Sequence, residues 1–225
     1  MAAEHEGTSL ASSLTDLMTS LAVIFILLLV ATLNNARQEV EGAKSEVLAR
    51  LEEALREFSK QGVQVAPDPR DPLGLLVLVP EDLLRFKQND PELPPQGVEF
   101  LKVFMPKLVG TACQPKLREG ISSVVVEGHA SSEGTEQRNL VLSQGRSMSV
   151  VQKGLEVLGP DLHSCFLQFV SAAGRGSAET VRTAQGAEDR ERSRRVIFKI
   201  RVKSTEQRRL VAGIGSSAGS AQDGE

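Results

Sequence analysis

The stretch VVVEGHASSEGTEQRNLVLSQGRSMSVV, residues 124–151, decides how the C-terminal part of the chain is read. The apolar run Ile121 to Val126 is a strand of the buried kind, and it ends at Glu127, Gly128 and His129. Beyond a polar turn, Leu140, Val141, Leu142, Val150, Val151, Leu155 and Leu158 belong to a helix that Gly159 and Pro160 close. Working outward, Leu73 to Val79 is a short apolar strand between Pro72 and Pro80. Phe100, Leu101, Phe104, Leu108 and Val109 have helix spacing, with a kink or break expected at Pro106. Cys165 to Val170 reads as a third strand, and Val196, Phe198, Ile200 and Val202 alternate with Ile197, Lys199, Arg201 and Lys203 in a fourth. The order strand, helix, strand, helix, strand, strand predicts an α/β sandwich over residues 73–203, with helices packed on one face of a small mixed sheet.

Composition removes several function classes. Lys plus Arg number 26 against 29 Asp plus Glu among 225 residues, so no global basic field exists to grip nucleic acid. Trp and Tyr are absent, which leaves eight Phe and no wide aromatic platform for bases or sugars. Two Cys and three His are too few for a usual four-ligand zinc site, and no metal centre is expected. Gly174-Arg175-Gly176 is a lone Gly-x-Gly that reads as a turn, and no Gly-x-Ser-x-Gly elbow or acid-paired catalytic His is evident. Neither an enzymatic site nor a cofactor is expected. Cys113 and Cys165 are a candidate disulfide, with a reduced pair the alternative.

The N-terminal part is of another kind. LMTSLAVIFILLLVATL, residues 17–33, carries no charge, and Ser13 to Asp16 extend it to the ~20 residues that a bilayer core requires. A transmembrane helix is expected at 13–33, after an N-terminal flank at 1–12. The alternative, a secretory signal, begins with a basic region, whereas this flank holds Glu4 and Glu6 and neither Lys nor Arg. Arg37, Lys44 and Arg50 follow the span, and basic flanks alone would place the C-terminal bulk in the cytoplasm.

Asp16 lies within a turn of the start of the span, where an ionisable group is costly unless it faces protein or water. One reading is a headgroup-level carboxylate favouring the positive end of the helix dipole. The other is a carboxylate that alternates between protonated and ionised as ions pass, with the hydroxyls of Thr15 and Thr19 in support. Between 34 and 60, Val40, Val47, Leu51, Leu55 and Phe58 form one helical stripe. That stripe suits a short coiled coil, a plug lying against a surface, or a plain amphipathic linker. Gly62, Pro67, Pro69 and Pro72 mark a hinge at 61–72, and residues 204–225, rich in Gly, Ser and Ala, read as a disordered tail.

Two resemblances give these parts a meaning. The run Asp16 to Phe25, DLMTSLAVIF, resembles the single span of flagellar stator B subunits, the MotB family. There the Asp carries the ion, the helix is paired in a homodimer inside a ring of MotA-like A subunits, and the N-terminus is cytoplasmic; by position Asp16 is the ion site. Val126 to Gly134, VEGHASSEG, is similar to the Val-Glu-Gly-His-Thr-Asp-x-x-Gly turn of OmpA-like peptidoglycan-binding domains. Asn139, Leu142, Ser143, Arg146 and Val150 match the helix that follows in that family, and Gly174 to Ser177 with Arg194, Arg195 and Val196 match its late elements.

The resemblance implies that Ser131, Ser132, Glu133, Asn139, Leu142, Arg146 and Arg195 border a peptidoglycan site. In the family an Asp of the turn and the helix Arg clamp the zwitterion of diaminopimelate. Arg146 keeps the guanidinium fork, while Ser131 replaces that Asp, leaving Glu133 or the hydroxyls of Ser131 and Ser132 to meet the ammonium. A surface salt bridge is the alternative for Arg146. His129 is expected to make a structural hydrogen bond, and Arg195 to brace the fold or rim the pocket. Together the parts imply a wall-anchored B subunit of an ion-driven, preferably proton-driven, inner-membrane motor with a periplasmic domain. The departures in the turn resemble the stator-type subunits of Zorya anti-phage defence systems. A flagellar stator and a passive membrane-to-wall tether are the alternatives.

Overall fold

Alternating side chains give each strand a core face, and strand pairing lines those faces up in rows. The computed structural model describes residues 3–204, with side chains for all but 3–13, 39, 40 and 43. Helix α1 (Ala3–Ser59) is followed by β1 (Gln64–Pro67), β2 (Gly74–Pro80), α2 (Glu81–Leu84), α3 (Pro95–Ala112) and α4 (Pro115–Gly120). Then come β3 (Ile121–His129), α5 (Glu136–Glu156), α6 (Pro160–Leu167), β4 (Val170–Gly174), α7 (Arg190–Ser193) and β5 (Arg195–Val202). The sheet order is β1-β2-β5-β3-β4, with β3 and β4 parallel and the other neighbours antiparallel. Val77, Phe198 and Val126 are paired across three strands, and Leu75, Ile200 and Val124 form the next row. All six are buried, in one cluster with Leu101, Phe104, Met105 and Leu108 of α3 and Val150 of α5. The domain is the expected mixed α/β fold, with five strands.

Contacts divide the chain into two units after Gly42. The first contains Leu14–Gln38, long and apolar enough to cross a membrane by length and composition. The second begins at Ala43, within α1, and this corrects the boundary expected at 73. Val47, Leu51, Leu55 and Phe58 are buried in the core of the domain. The Phe58 ring meets Phe100 and Phe104 edge-on at 5.8 and 5.5 Å, and Glu57 pairs with Lys107. The stripe is therefore a core face and does not form a linker or a coiled-coil seam; the Val40 side chain lies outside the described residues. The hinge expected at 61–72 contains β1, whose backbone pairs with β2, Val65 opposite Val77. Of the tail, all but Ser204 lies outside the described residues.

Two further expectations fail for local reasons. Cys165 and Phe166 belong to α6, and the strand starts only at Val170. Pro160 at the first helical turn and the i,i+3 pair Phe166 and Phe169, 5.6 Å apart, favour a helical turn, which a short apolar run alone cannot distinguish from a strand. Helix α3 runs through Pro106 without ending. Phe104, Met105, Leu108 and Val109 around it are buried, and burial worth roughly 1.5–3 kcal/mol per side chain outweighs the ~3 kcal/mol cost of an internal proline.

Candidate ligand cleft at Arg146

Helix α5 comes down onto the sheet at two glycines. Gly128 and Gly174 are register partners on β3 and β4. A Cβ on Gly128 would overlap the Ser143 carbonyl, and one on Gly174 would come within 2.5 Å of the Gln144 nitrogen. Only a residue without a side chain permits this approach. The Gly174 N–H donates to Gln144 Oε1 at 2.6 Å and the Gly176 N–H to Ser143 Oγ at 2.9 Å, which fixes the helix on the strand ends. Thr135 caps α5 by accepting the Arg138 N–H at 3.3 Å. So held, Asn139, Leu142 and Arg146, three and four residues apart on one helix face, line a cleft of about 340 Å³. Ser131 and Glu133 of the turn, with Glu81, Phe86, Asn89 and Arg194, are among its other walls.

Arg146 is the centre of this arrangement. Its side chain is only 8% exposed. Nη1 donates to Glu81 Oε1 at 2.7 Å, Nη2 to the Lys87 carbonyl at 3.1 Å and Nε to the Asp90 carbonyl at 3.3 Å, and the guanidinium lies 4.9 Å from the Phe86 ring centroid. Burial lowers its pKa, with the Glu81 carboxylate opposing that shift. Arginine nevertheless stays charged at neutral pH. Of its five N–H donors, three hold the 81–90 segment. The Glu81 carboxylate also accepts from Arg194 Nε at 2.6 Å, so one acid bridges two guanidiniums.

The other expected residues are placed unequally. Asn139 Nδ2 donates to the Ser131 carbonyl at 3.0 Å, which braces the turn. Glu133 is in the wall but paired with Arg190 at 2.7 Å. Ser132 lies outside the cleft lining, its N–H donating to Glu188 Oε1 at 2.9 Å and its hydroxyl to Oε2, and these bonds hold Glu188 below the usual carboxylate range. Arg195 also stands outside, its Nη1 donating to the carbonyls of Glu179 and Ser193 at 3.1 Å each. Adjacent residues of extended chain point to opposite sides, so Arg194 reaches the cleft in its place. The sequence reading missed Glu81, Phe86 and Arg194. The paired arginines could have signalled Arg194; nothing local marked Glu81 or Phe86.

His129 does not make the hydrogen bond expected of it. It is 2% exposed, neither ring nitrogen has a hydrogen-bond partner, and the Glu127 carboxylate is 3.8 Å away. Cys113 and Cys165 are bonded, with Cα atoms 6.3 Å apart, joining the end of α3 to α6. In the first unit the Thr19 hydroxyl donates to the backbone carbonyl of Asp16 at 2.9 Å.

No family model matches the chain. It is similar to the Zorya protein ZorB of Escherichia coli (Crooks strain), 28% identical over 205 residues, which span 84% of this chain and 86% of that protein. A second ZorB, from Escherichia coli O139:H28, is 27% identical over 158 residues, 66% of this chain and 61% of its own length. Among solved structures, a MotB-like protein from Desulfovibrio vulgaris shares the fold with a TM-score of 0.52 at 18% identity, covering 74% of this chain and 96% of that one.

Proposed function

We propose that the chain is the wall-anchored B subunit of an ion-driven rotary complex in the bacterial inner membrane, serving anti-phage defence of the Zorya type. The likeness to ZorB over 84% of the chain carries this reading. Asp16 is the one acidic residue of the apolar segment Leu14–Gln38, and it is the group that takes up and releases the ion, a proton by preference. The domain holds peptidoglycan at the Arg146 cleft, where the guanidinium meets a stem-peptide carboxylate. Glu81 and Glu133 supply acidic oxygens beside it. A wall contact requires the domain on the periplasmic side and the N-terminus in the cytoplasm, against the basic residues that follow the span. The Cys113–Cys165 bond fits that oxidising compartment.

In this reading two copies pair within a ring of MotA-like subunits. Wall anchorage holds the pair still while the ring turns around it as Asp16 is loaded and discharged. The chain needs no catalytic site of its own. Asp16→Asn in the complex reconstituted with its A-type partner abolishes ion current and leaves sacculus binding intact. Persistent current in that variant would refute ion coupling at Asp16. Full-length chain co-sedimenting with purified sacculi, and an Arg146→Ala variant remaining in the supernatant with an unchanged circular dichroism spectrum, is the expected result for wall binding. A passive membrane-to-wall tether is the second reading. It is favoured by the Thr19 hydroxyl, which serves the Asp16 backbone carbonyl, and it predicts that Asp16→Asn leaves function unchanged.

A further inference from the structure

The wall formed by Glu81, Phe86 and Arg194 has a second side. Beyond it lies another cleft, of about 500 Å³, that shares these three residues with the Arg146 cleft. Its apolar surface comes from residues such as Leu78, Pro80 and Val181, and its cationic groups include Arg85 and Arg192. Among the described residues, Arg70, Arg146, Arg175, Arg190 and Arg194 all enter ion pairs, whereas Arg85 and Arg192 enter none. Arg195 also lines this cleft, and its Nε is buried without a hydrogen-bond partner. Arg85 is tied to the shared wall. It caps α2 in the left-handed region, at φ 55°, and donates its N–H to the carbonyl of Glu81 at 2.6 Å.

The charge balance narrows the ligand. Asp82 and Glu191 border the same cleft, so its guanidiniums do not produce a strongly positive field. A dianionic phosphate would meet three carboxylates, those of Glu81, Asp82 and Glu191. A carboxylate carries a single charge, fits the planar guanidinium fork, and can have an amide or apolar neighbour over the Leu78 and Pro80 surface.

We propose that this second cleft takes the C-terminal carboxylate of the acidic peptide whose first carboxylate meets Arg146, so that the ligand straddles the Glu81–Arg194 wall. The inference rests on the wall-anchoring reading and assigns Arg85 and Arg192 as peptide-binding residues. Full-length chain in detergent micelles is titrated calorimetrically with a synthetic stem tetrapeptide containing diaminopimelate, once with a free C-terminal carboxylate and once with a C-terminal amide. The unsubstituted chain binds the free acid about tenfold more tightly, as loss of a charged hydrogen-bond pair requires. The Arg85→Gln, Arg192→Gln double variant binds both peptides with the affinity of the amide. Both positions are exposed, and an unchanged melting temperature verifies that the double variant is folded.

Retention of the tenfold preference in the double variant overturns the proposal. So does inorganic phosphate that abolishes the preference at concentrations where acetate does not, since the cleft would then be a phosphate site. Peptide binding lost in Arg146→Gln but indifferent to the double substitution removes the second cleft alone. Absence of binding of either peptide to the unsubstituted chain removes the wall reading with it.

Discussion

His129 keeps a neutral imidazole in the domain interior. Burial, with the charge of Arg195 adding to it, lowers its pKa from 6.5 to about 3; Glu179 opposes this, and Arg175 and Arg70 reinforce it. Below pH 6.5 the unfolded chain binds a proton that the folded one refuses. Stability is therefore complete above that value and declines as the pH falls toward 3. The loss between pH 7 and pH 4 is on the order of 1–3 kcal/mol. Urea midpoints measured across this range should fall less in His129→Leu than in the parent, and equal falls would show that the imidazole is not responsible. At Arg146 a different conflict is resolved within one side chain. It braces the carbonyls of Lys87 and Asp90 and also faces the cleft, so its truncation affects both the rim and any ligand.

At the scale of elements, the seat of α5 depends on the absence of two side chains. Gly128→Ala drives a methyl into the Ser143 carbonyl, which belongs to the helix backbone and cannot rotate away. We expect a loss of about 2–3 kcal/mol, from overpacking, together with displacement of Asn139 and Arg146. Denaturant titration and the amide spectrum of α5 check both, and an Ala variant as stable as the parent would disprove the close seat. The Cys113–Cys165 bond closes a 52-residue separation between α3 and α6. Its removal by Cys113→Ser with Cys165→Ser should cost roughly 2–4 kcal/mol through added freedom of the unfolded chain. Reduction of the parent should lower the melting temperature by the same amount as the double substitution. The cleft itself should persist, since neither cysteine touches it.

At the scale of the molecule, the domain begins inside a helix. A chain truncated at residue 61 lacks Val47, Leu51, Leu55 and Phe58, four buried members of the core. Burial at roughly 1.5–3 kcal/mol each makes that loss comparable to the whole stability of a domain. We expect the 61–225 piece to be unfolded or aggregated and a piece starting at 43 to unfold cooperatively, as followed by thermal circular dichroism. Equal melting of the two would show that the helix segment is dispensable.

Much of this protein was legible residue by residue. The apolar length of the N-terminal segment, the alternation in Val196 to Val202 and the strand-turn-helix at 121–158 follow from local patterns, because burial imposes a period of two on strands and of about 3.6 on helices, whereas the candidate role of Arg146 came from the resemblance of its motif to a known family. What faces that stripe of α1, where the short run at 165–170 changes from helix to strand, and which of two adjacent arginines enters the cleft depend on partners distant in sequence. Glu81 meets Arg146 and Arg194 across separations of 65 and 113 residues. A periodic pattern shows that a face is to be covered, but only the folded chain selects the surface that covers it.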